Sequence, residues 1–198
     1  MRIMVVSPRA EGADLATRLR ETGHAVVTYG EAVGLPLVAQ KDLYQFARAS
    51  DLVVVDESFP LVRTRRSYRP HQDALFFDEL RRAYDIKALG PTPTIDLLIG
   101  DARYLKKWCG KLGIAYDTKA DGESWSSGAW FRKDDVIPPG PLLESWKPLF
   151  KAVGFRGWFE LRGVIGADGP IVQAAVSTWP VEQIPAGQEA DFLRRISS

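Results

Sequence analysis

Side chains that could bind or activate a ligand follow two short apolar runs of the sequence. Ser7 and Arg9 come directly after the first run, and Asp56 and Glu57 come directly after a later one. Because ligands of parallel α/β sheets bind at the carboxyl ends of the strands, these four are candidate substrate-binding residues. A hydroxyl, a guanidinium and the backbone of Gly12 can bind an anion, and the two carboxylates can bind hydroxyl groups or act as acid and base. A plain connecting loop and a solvated carboxylate pair are the alternative interpretations.

The one dense basic cluster lies further along the chain, between residues 63 and 71. Basic side chains interleaved with an aromatic ring can bind phosphates or single-stranded nucleic acid. A solvated loop is the preferred interpretation, because the cluster is short and the chain is nearly neutral. The members of the cluster are Arg63, Arg65, Arg66, Tyr68, Arg69 and His71.

Histidine and cysteine are too scarce for several common kinds of site. His24 and His71 are the only histidines, so a histidine-based metal site and a Ser-His triad have little support. Cys109 is the only cysteine, which excludes an intramolecular disulfide and fits a reducing compartment. We therefore predict a cytoplasmic protein with no assigned metal ligands, and we interpret Cys109 as a small packed residue rather than a nucleophile.

Composition and charge predict a globular protein that is neither secreted nor membrane-spanning. The chain has 198 residues, of which 45% are hydrophobic and 26% are charged, so it has ample material for a packed core. Lys plus Arg number 26 and Asp plus Glu number 25. The protein as a whole therefore has no strong electrostatic field to attract nucleic acid or an anionic membrane. The apolar runs are far shorter than the roughly 20 residues of a membrane-spanning helix. We expect a small-molecule ligand, expect neither a membrane nor nucleic acid as a partner, and leave a protein partner or a homo-oligomer open.

The first 90 residues alternate strand signals with helix signals. Apolar and β-branched runs predict strands at residues 2–6, 25–29, 52–55 and 86–89, and helical spacing predicts helices at residues 13–21, 41–48 and 73–84. The run at 52–55 is apolar throughout, as a parallel strand covered on both faces requires. This order predicts an α/β fold with a doubly wound parallel sheet.

The second half predicts a different, α+β arrangement. Helices are predicted at residues 94–98, 102–112, 141–153 and 190–196, a short strand at 129–132, and a β-hairpin of 155–165 with 170–178. Gly, Ser, Asp and Pro dominate residues 117–141, which are therefore predicted to be mostly irregular. We predict two domains, residues 1–90 and residues 91–198.

Three stretches of the chain, at residues 90–115, 51–62 and 159–175, carry a resemblance to a known family. They resemble phosphoribosylamine-glycine ligase, a member of the ATP-grasp superfamily. The turn Gly90-Pro91-Thr92, with the helix after it and the step at 111–115, resembles the hinge after that family's first domain. Residues 51–62 resemble its strand and substrate loop, and residues 159–175 resemble its late β-hairpin. The resemblance implies a pre-ATP-grasp-like domain followed by a reduced ATP-grasp-like half. Residues 114–127 are too few to form the lid subdomain, so we expect the lid to be lacking.

The resemblance also implies where a nucleotide cofactor, ATP or ADP, would bind. The Ser-Lys pair of the family falls on residues 101–102, which are Asp-Ala, and this leaves Arg103 and Lys106 as its substitutes. Gly128, followed by an alanine and an aromatic residue, resembles the core of a glycine-rich loop near the phosphates. The late strand reads Gln-Ala-Ala-Val-Ser at residues 173–177, where the family carries Glu-Phe-Asn-Cys-Arg. Both expected metal ligands of that strand are missing, so Mg²⁺ binding is doubtful.

These expectations combine into one functional hypothesis. It is that the chain is a degenerate phosphoribosylamine-glycine ligase-like protein, which binds a phosphorylated or nucleotide-like small molecule without independent ligase turnover. Two alternatives stay open, an active minimal ATP-dependent carboxylate-amine ligase and a structural or adaptor protein. The adaptor would use the tryptophans Trp125 and Trp130, or the arginine-rich loop, as a protein interface.

Overall fold

A computed structural model of the chain describes residues 1–9, 12–30, 36–132, 135–138 and 140–198. The middle of the loop after the first strand, residues 10–11, and part of the predicted irregular segment therefore lie outside the described residues. The first half consists of β1 (Arg2–Ser7), α1 (Ala13–Glu21), β2 (Ala25–Gly30), α2 (Leu43–Ala49), β3 (Leu52–Val55), β4 (Val62–Arg63), β5 (Tyr68–Arg69), α3 (Gln72–Ala83) and β6 (Ala88–Leu89).

The second half continues with α4 (Pro93–Gly100), α5 (Ala102–Lys111), β7 (Glu123–Phe131), β8 (Val136–Ile137), α6 (Pro141–Glu144), α7 (Lys147–Ala152), β9 (Gly157–Gly166), β10 (Gly169–Val176) and α8 (Glu189–Ser197). Short 3₁₀ turns lie at Gln40–Asp42 and Val181–Gln183. Among the described residues, no helix is both long and apolar enough to span a bilayer.

Four strands of the first half form a parallel sheet in the order β2-β1-β3-β6. Val5 in β1 pairs with Thr28 on one side and with Val54 on the other. All four residues of β3 are buried, as expected for a strand whose two faces are both covered. The predicted parallel sheet is therefore confirmed.

Helices cover both faces of this sheet because successive strand residues point in opposite directions. Ile3 and Val5 pack with apolar residues of α1 and α8, whereas Met4 and Val6 pack with α2 and α3. A fully buried aliphatic side chain contributes about 1.5–3 kcal/mol relative to an exposed one, so these layers carry much of the stability. The last helix, α8, therefore packs on the first sheet and completes its core.

A cluster of hydrogen bonds holds this last segment in place. The guanidinium of Arg18, in α1, donates from Nε to Glu189 at 2.9 Å. It also donates to the carbonyl oxygens of Val181 at 2.8 Å and Ile184 at 2.7 Å. The domain boundary predicted at residue 90 stays a prediction, but the C-terminal helix beyond it packs on the first sheet.

The second sheet is antiparallel, with the order β10-β9-β7-β8. One face packs on α4 to α7 through residues such as Phe131 and Phe159. The strand predicted at 129–132 begins earlier, at Glu123, because β7 pairs with β9 along its whole length, from Glu123 opposite Ile165 to Phe131 opposite Gly157. Pairing with a neighbouring strand thus overrides the weak strand propensity of the serine-rich sequence before Gly128.

The single helix predicted at 141–153 is instead two short helices, α6 and α7. Pro148 lies in the first turn of α7. Proline has no N–H and its ring clashes with the carbonyl four residues earlier, so a continuous helix cannot pass through this position. The chain breaks before it and restarts, which places proline where its missing N–H costs little.

A layer of aromatic rings joins the second sheet to the first. Trp130, from β7, is only 4% exposed. Its ring centroid lies 5.4 Å from that of Trp158, 5.0 Å from that of Trp179 and 5.0 Å from that of Phe192, all at steep angles. The adaptor alternative would use Trp130 as an interface residue, but this side chain forms part of the core between the two sheets.

Candidate functional site

The polar residues predicted after β1 and β3 come together at the carboxyl edge of the parallel sheet. Ser7 and Asp56 are both buried, and the hydroxyl of Ser7 donates to Oδ2 of Asp56 at 3.0 Å. The same hydroxyl accepts a hydrogen bond from the backbone N–H of Gly12 at 3.0 Å. This N–H belongs to the residue that precedes α1, so the serine takes up a donor that would otherwise be available to an anion.

Arg9 and Glu57 form an ion pair beside this group. Nε of Arg9 lies 3.3 Å from Oε2 of Glu57, and the Arg9 side chain is 55% exposed whereas that of Glu57 is 1% exposed. Arg9 also donates from Nη2 to the carbonyl oxygen of Ser58 at 3.2 Å. The guanidinium therefore lies over a buried carboxylate and compensates part of the cost of burying it. The four predicted substrate-binding residues therefore form two pairs at the ends of β1 and β3, Ser7 with Asp56 and Arg9 with Glu57.

Asp96 is a buried acid close to this group that the sequence analysis did not single out. It lies in α4 and is 1% exposed. Burial raises the pKa of its carboxyl well above the ordinary value of 3.8. The backbone of Phe59 and the charges of Arg81 and Arg9 act in the opposite direction with smaller effect. The signal in the sequence was an acid inside the apolar helical run Ile95-Asp96-Leu97-Leu98, which indicates a buried polar group.

We predict that Asp96→Asn removes a pH dependence of stability. A carboxyl whose pKa is raised by folding holds its proton more tightly in the native state, so its contribution is present at low pH and is lost as pH rises through the folded pKa. Between the unfolded and folded pKa values the wild type should lose up to about 1.4 kcal/mol of unfolding free energy per pH unit. Urea unfolding at several pH values between 4 and 8 measures this slope. Equal slopes for Asp96→Asn and the wild type would contradict a raised pKa of the buried Asp96 carboxyl.

A cleft rich in arginine lies where the segment after β3 meets the end of α4. The loop predicted at the basic cluster contains a two-stranded hairpin, with Val62 opposite Arg69 and Arg63 opposite Tyr68. The cleft, about 420 Å³ in volume, lies between the hairpin and the start of α5. It is lined by Arg63, Thr64, Arg65, Arg66, Ser67, Tyr68, Gly100, Asp101, Ala102 and Arg103. Arginines distant in sequence are thus brought to one polar surface.

Asp101 is the carboxylate of this cleft, and it is already engaged by the protein. Its Oδ1 accepts a hydrogen bond from the backbone N–H of Arg103 at 3.0 Å, which caps α5. The same oxygen lies 3.6 Å from Nε of Arg103. The carboxylate thus stabilises the helix N-terminus and pairs with one guanidinium, and the three arginines of the hairpin leave the cleft positive.

A second polar cleft of about 380 Å³ adjoins the first and shares Ala102 and Arg103 with it. Lys106, Tyr116, Asp117 and Thr118 line the remainder. Arg103 and Lys106, the two predicted cofactor-binding cations, therefore lie on one surface, as their spacing of three residues in a helix requires. Both side chains are exposed.

Gly128, the third predicted cofactor-binding residue, lies inside β7 opposite Glu160 rather than in a loop. A Cβ atom at this position would lie 2.1 Å from Cζ2 of Trp158. The absence of a side chain is thus what allows the Trp158 indole to lie across the strand. A role for Gly128 in binding a cofactor stays a prediction.

The donor set needed for a metal is not assembled in the part of the chain that the structure describes. There, no three His, Cys, Asp or Glu side chains are grouped so that they could hold an ion. In β10, the amide of Gln173 donates to the carbonyl oxygen of Ala120 at 2.8 Å, and the residues after it are alanines. The residues present in this strand do not fit the ligands of a magnesium ion, which are carboxylate oxygens or side-chain amide oxygens directed at the ion.

Comparison with solved structures shows that the fold of this chain is similar to that of ATP-grasp enzymes. D-alanine–D-alanine ligase from Bacillus anthracis, solved with ATP, superposes with a TM-score of 0.61 and 12% identity over 100% of this chain and 96% of that one. The phosphoribosylaminoimidazole carboxylase ATPase subunit from Aquifex aeolicus gives a TM-score of 0.64 and 12% identity, covering 100% of this chain and 76% of that one. N5-carboxyaminoimidazole ribonucleotide synthetase from Thermotoga maritima gives a TM-score of 0.63 and 13% identity, covering 98% of this chain and 75% of that one.

These structural neighbours are ATP-grasp enzymes, and the chain shares their fold. None of the three is a phosphoribosylamine-glycine ligase. No family model matches the sequence, and no curated protein matches it. At identities this low the likeness concerns the fold, and activity has to be argued from the residues of the site.

Proposed function

We propose that this chain is a degenerate ATP-grasp protein, related to phosphoribosylamine-glycine ligase, that binds a phosphorylated or nucleotide-like small molecule without independent ligase turnover. The observation that carries the proposal is the cleft lined by Arg63, Arg65, Arg66 and Arg103. Guanidinium groups bind phosphate oxygens through paired, charge-assisted hydrogen bonds, which makes arginine the residue suited to such a ligand.

The phosphate is assigned to the arginine cleft rather than to the sheet edge. At the sheet edge Asp56 and Glu57 are buried acids that would repel an anion, and Arg9 is already paired with Glu57. In this proposal Ser7, Arg9, Asp56 and Glu57 hold the loops after β1 and β3 in place, and the arginines of the cleft bind the phosphate. The arginine cleft has a volume of about 420 Å³, within the range of small-molecule sites.

Ligase turnover requires catalytic groups that the described part of the chain does not supply. Phosphoryl transfer needs cations and a metal to neutralise the charge that develops on the transferred group. The strand β10 has glutamine and alanines where metal ligands would be needed, and the chain between α5 and β7 is too short for a lid subdomain. A reduced second half without a lid would bind a ligand and leave it exposed to water.

Isothermal titration with ATP, ADP, ribose 5-phosphate and inorganic phosphate tests this proposal. We expect at least one phosphorylated compound to bind the wild type, and we expect the double variant Arg65→Ala, Arg66→Ala to bind it at least about tenfold more weakly, since charge-assisted hydrogen bonds are lost. Arg20→Ala, which removes an exposed arginine of α1 outside the cleft, is the matched control and should bind like the wild type.

Two outcomes would overturn the proposal. If none of the four compounds binds, the cleft is not a phosphate site. If Mg²⁺-dependent release of ADP accompanies amide formation from an acid and an amine, the chain is an active minimal carboxylate-amine ligase. Loss of that activity in Arg103→Ala and Lys106→Ala would then assign the phosphates to α5.

A further inference from the structure

The second cleft has no occupant in the proposed function, although it adjoins the first. The two clefts share the wall formed by Ala102 and Arg103, and each has the volume of a site for one small ligand, about 420 Å³ and 380 Å³. A ligand that fills both would pass Arg103 on its way from the hairpin to Lys106. Such a ligand is longer than one nucleotide-sized unit.

Cations are distributed along this whole path rather than gathered at one point. Arg63, Arg65 and Arg66 lie at the hairpin end. Arg103 lies at the junction, and Lys106 follows it on the same face of α5. This spacing suits an anion whose charges repeat along its length.

The carboxylates along the path do not cancel these cations. Asp101 caps α5 and lies beside Arg103. The carboxylate of Asp117, in the second cleft, accepts a hydrogen bond from the backbone N–H of Lys119 at 2.9 Å. The path has five cationic side chains and only these two carboxylates, so a net positive surface remains along it.

We propose that the two clefts together bind single-stranded nucleic acid, with Arg103 contacting the phosphate between two adjacent nucleotides. Tyr68, at the hairpin end of the path, is 36% exposed and offers a ring on which a base can stack. Each cleft is too small for a duplex and matches one nucleotide of a single strand. This inference rests on the proposed function, because it identifies the phosphorylated ligand as part of an oligonucleotide rather than a free nucleotide.

The near neutrality of the whole chain is compatible with this site. A net charge of +1 gives no long-range field, so attraction has to come from the local path. Binding should therefore be confined to a few phosphates. With five cationic side chains in contact, the logarithm of the binding constant should fall against the logarithm of the salt concentration with a slope of about −3.5.

Fluorescence anisotropy with labelled oligothymidylates of two and eight nucleotides, together with calorimetric titration of thymidine 5′-monophosphate, tests this inference. We expect the eight-nucleotide strand to bind at least about tenfold more tightly than the mononucleotide, because it adds contacts in the second cleft. Lys106→Ala should weaken binding of the longer strand by about fivefold to tenfold and reduce the salt slope by about 0.7, while leaving the mononucleotide unaffected.

Lys107→Ala is the matched control, since it removes an exposed lysine next to Lys106 in α5 that lines neither cleft. Oligonucleotides that bind no more tightly than the mononucleotide would overturn the inference and leave the proposed function standing. Equal binding of the longer strand by Lys106→Ala and Lys107→Ala would also overturn the inference and leave the proposed function standing. If no phosphorylated ligand binds, short or long, the inference and the proposed function are both overturned.

Discussion

Trp130→Ala should lower the free energy of unfolding by about 3–5 kcal/mol, as the truncation of a large buried aromatic side chain does. Trp130 is 4% exposed and contacts three other aromatic rings, those of Trp158, Trp179 and Phe192. Removing the indole leaves a cavity between the two sheets and takes away edge-to-face contacts, each of which is worth about 0.5–1.5 kcal/mol. Urea unfolding followed by circular dichroism measures the change.

Trp125→Ala provides the comparison, because Trp125 lies near the start of the same strand and is only partly buried. Its indole N–H donates to the carbonyl oxygen of Val164 at 2.9 Å, so its loss should cost less, about 1–2 kcal/mol. An adaptor that uses Trp130 as an interface would behave differently, since replacing an exposed residue leaves the monomer as stable as before. Unchanged stability of Trp130→Ala would therefore contradict its place in the core.

Gly90→Ala should destabilise the protein by about 3–5 kcal/mol, from backbone strain and overpacking acting together. Gly90 has a φ angle of +111°, which residues with a Cβ rarely adopt. A Cβ at this position would also lie 1.9 Å from the carbonyl oxygen of Val55, so the backbone of β3 would have to move. In addition, the N–H of Gly90 donates to the carbonyl oxygen of Arg156, which ties the end of the first sheet to the start of β9.

Gly110→Ala is the matched control for this substitution. Gly110 lies in α5, and nothing is within 4 Å of the Cβ that alanine would add. Alanine favours the helix over glycine by up to about 1 kcal/mol, so this variant should be as stable as the wild type or more stable. If thermal and urea unfolding gave the same stability for Gly90→Ala and Gly110→Ala, the strained approach to Val55 would be refuted.

The position of Gly90 explains in physical terms why the Gly-Pro-Thr turn was informative in the sequence. Gly90 follows the last strand of the parallel sheet, and Pro93 opens α4 two residues after Pro91. The turn therefore directs the chain from the sheet edge into the helix that carries Asp96 and ends beside the arginine cleft. A local signal of glycine and proline located the junction, but it carried no information about which distant segments meet there.

The regular elements were largely predictable because their causes are local. The apolar run at Leu52–Val55 predicted a buried parallel strand, and the helical spacing of α1 and α3 predicted their buried faces. Predictions failed where a partner strand decided the structure, as in the early start of β7 and the short hairpin of β4 with β5. Strand formation depends on a neighbour that can be far away in sequence, so local propensity is a weak guide there.

The alternation of strands and helices, the cluster of arginines near residue 65 and the polar residues after the strands β1 and β3 could all be read from the order of residues. The hydrogen bond between Ser7 and Asp56, the burial of Trp130 and the shared cleft of Arg65 and Arg103 depend on how distant segments pack. Periodicity and turn chemistry act over a few neighbouring residues, whereas burial and electrostatic interactions act between groups that are close in space. Two arginines 38 positions apart become one anion-binding surface only when the hairpin and the start of α5 come together.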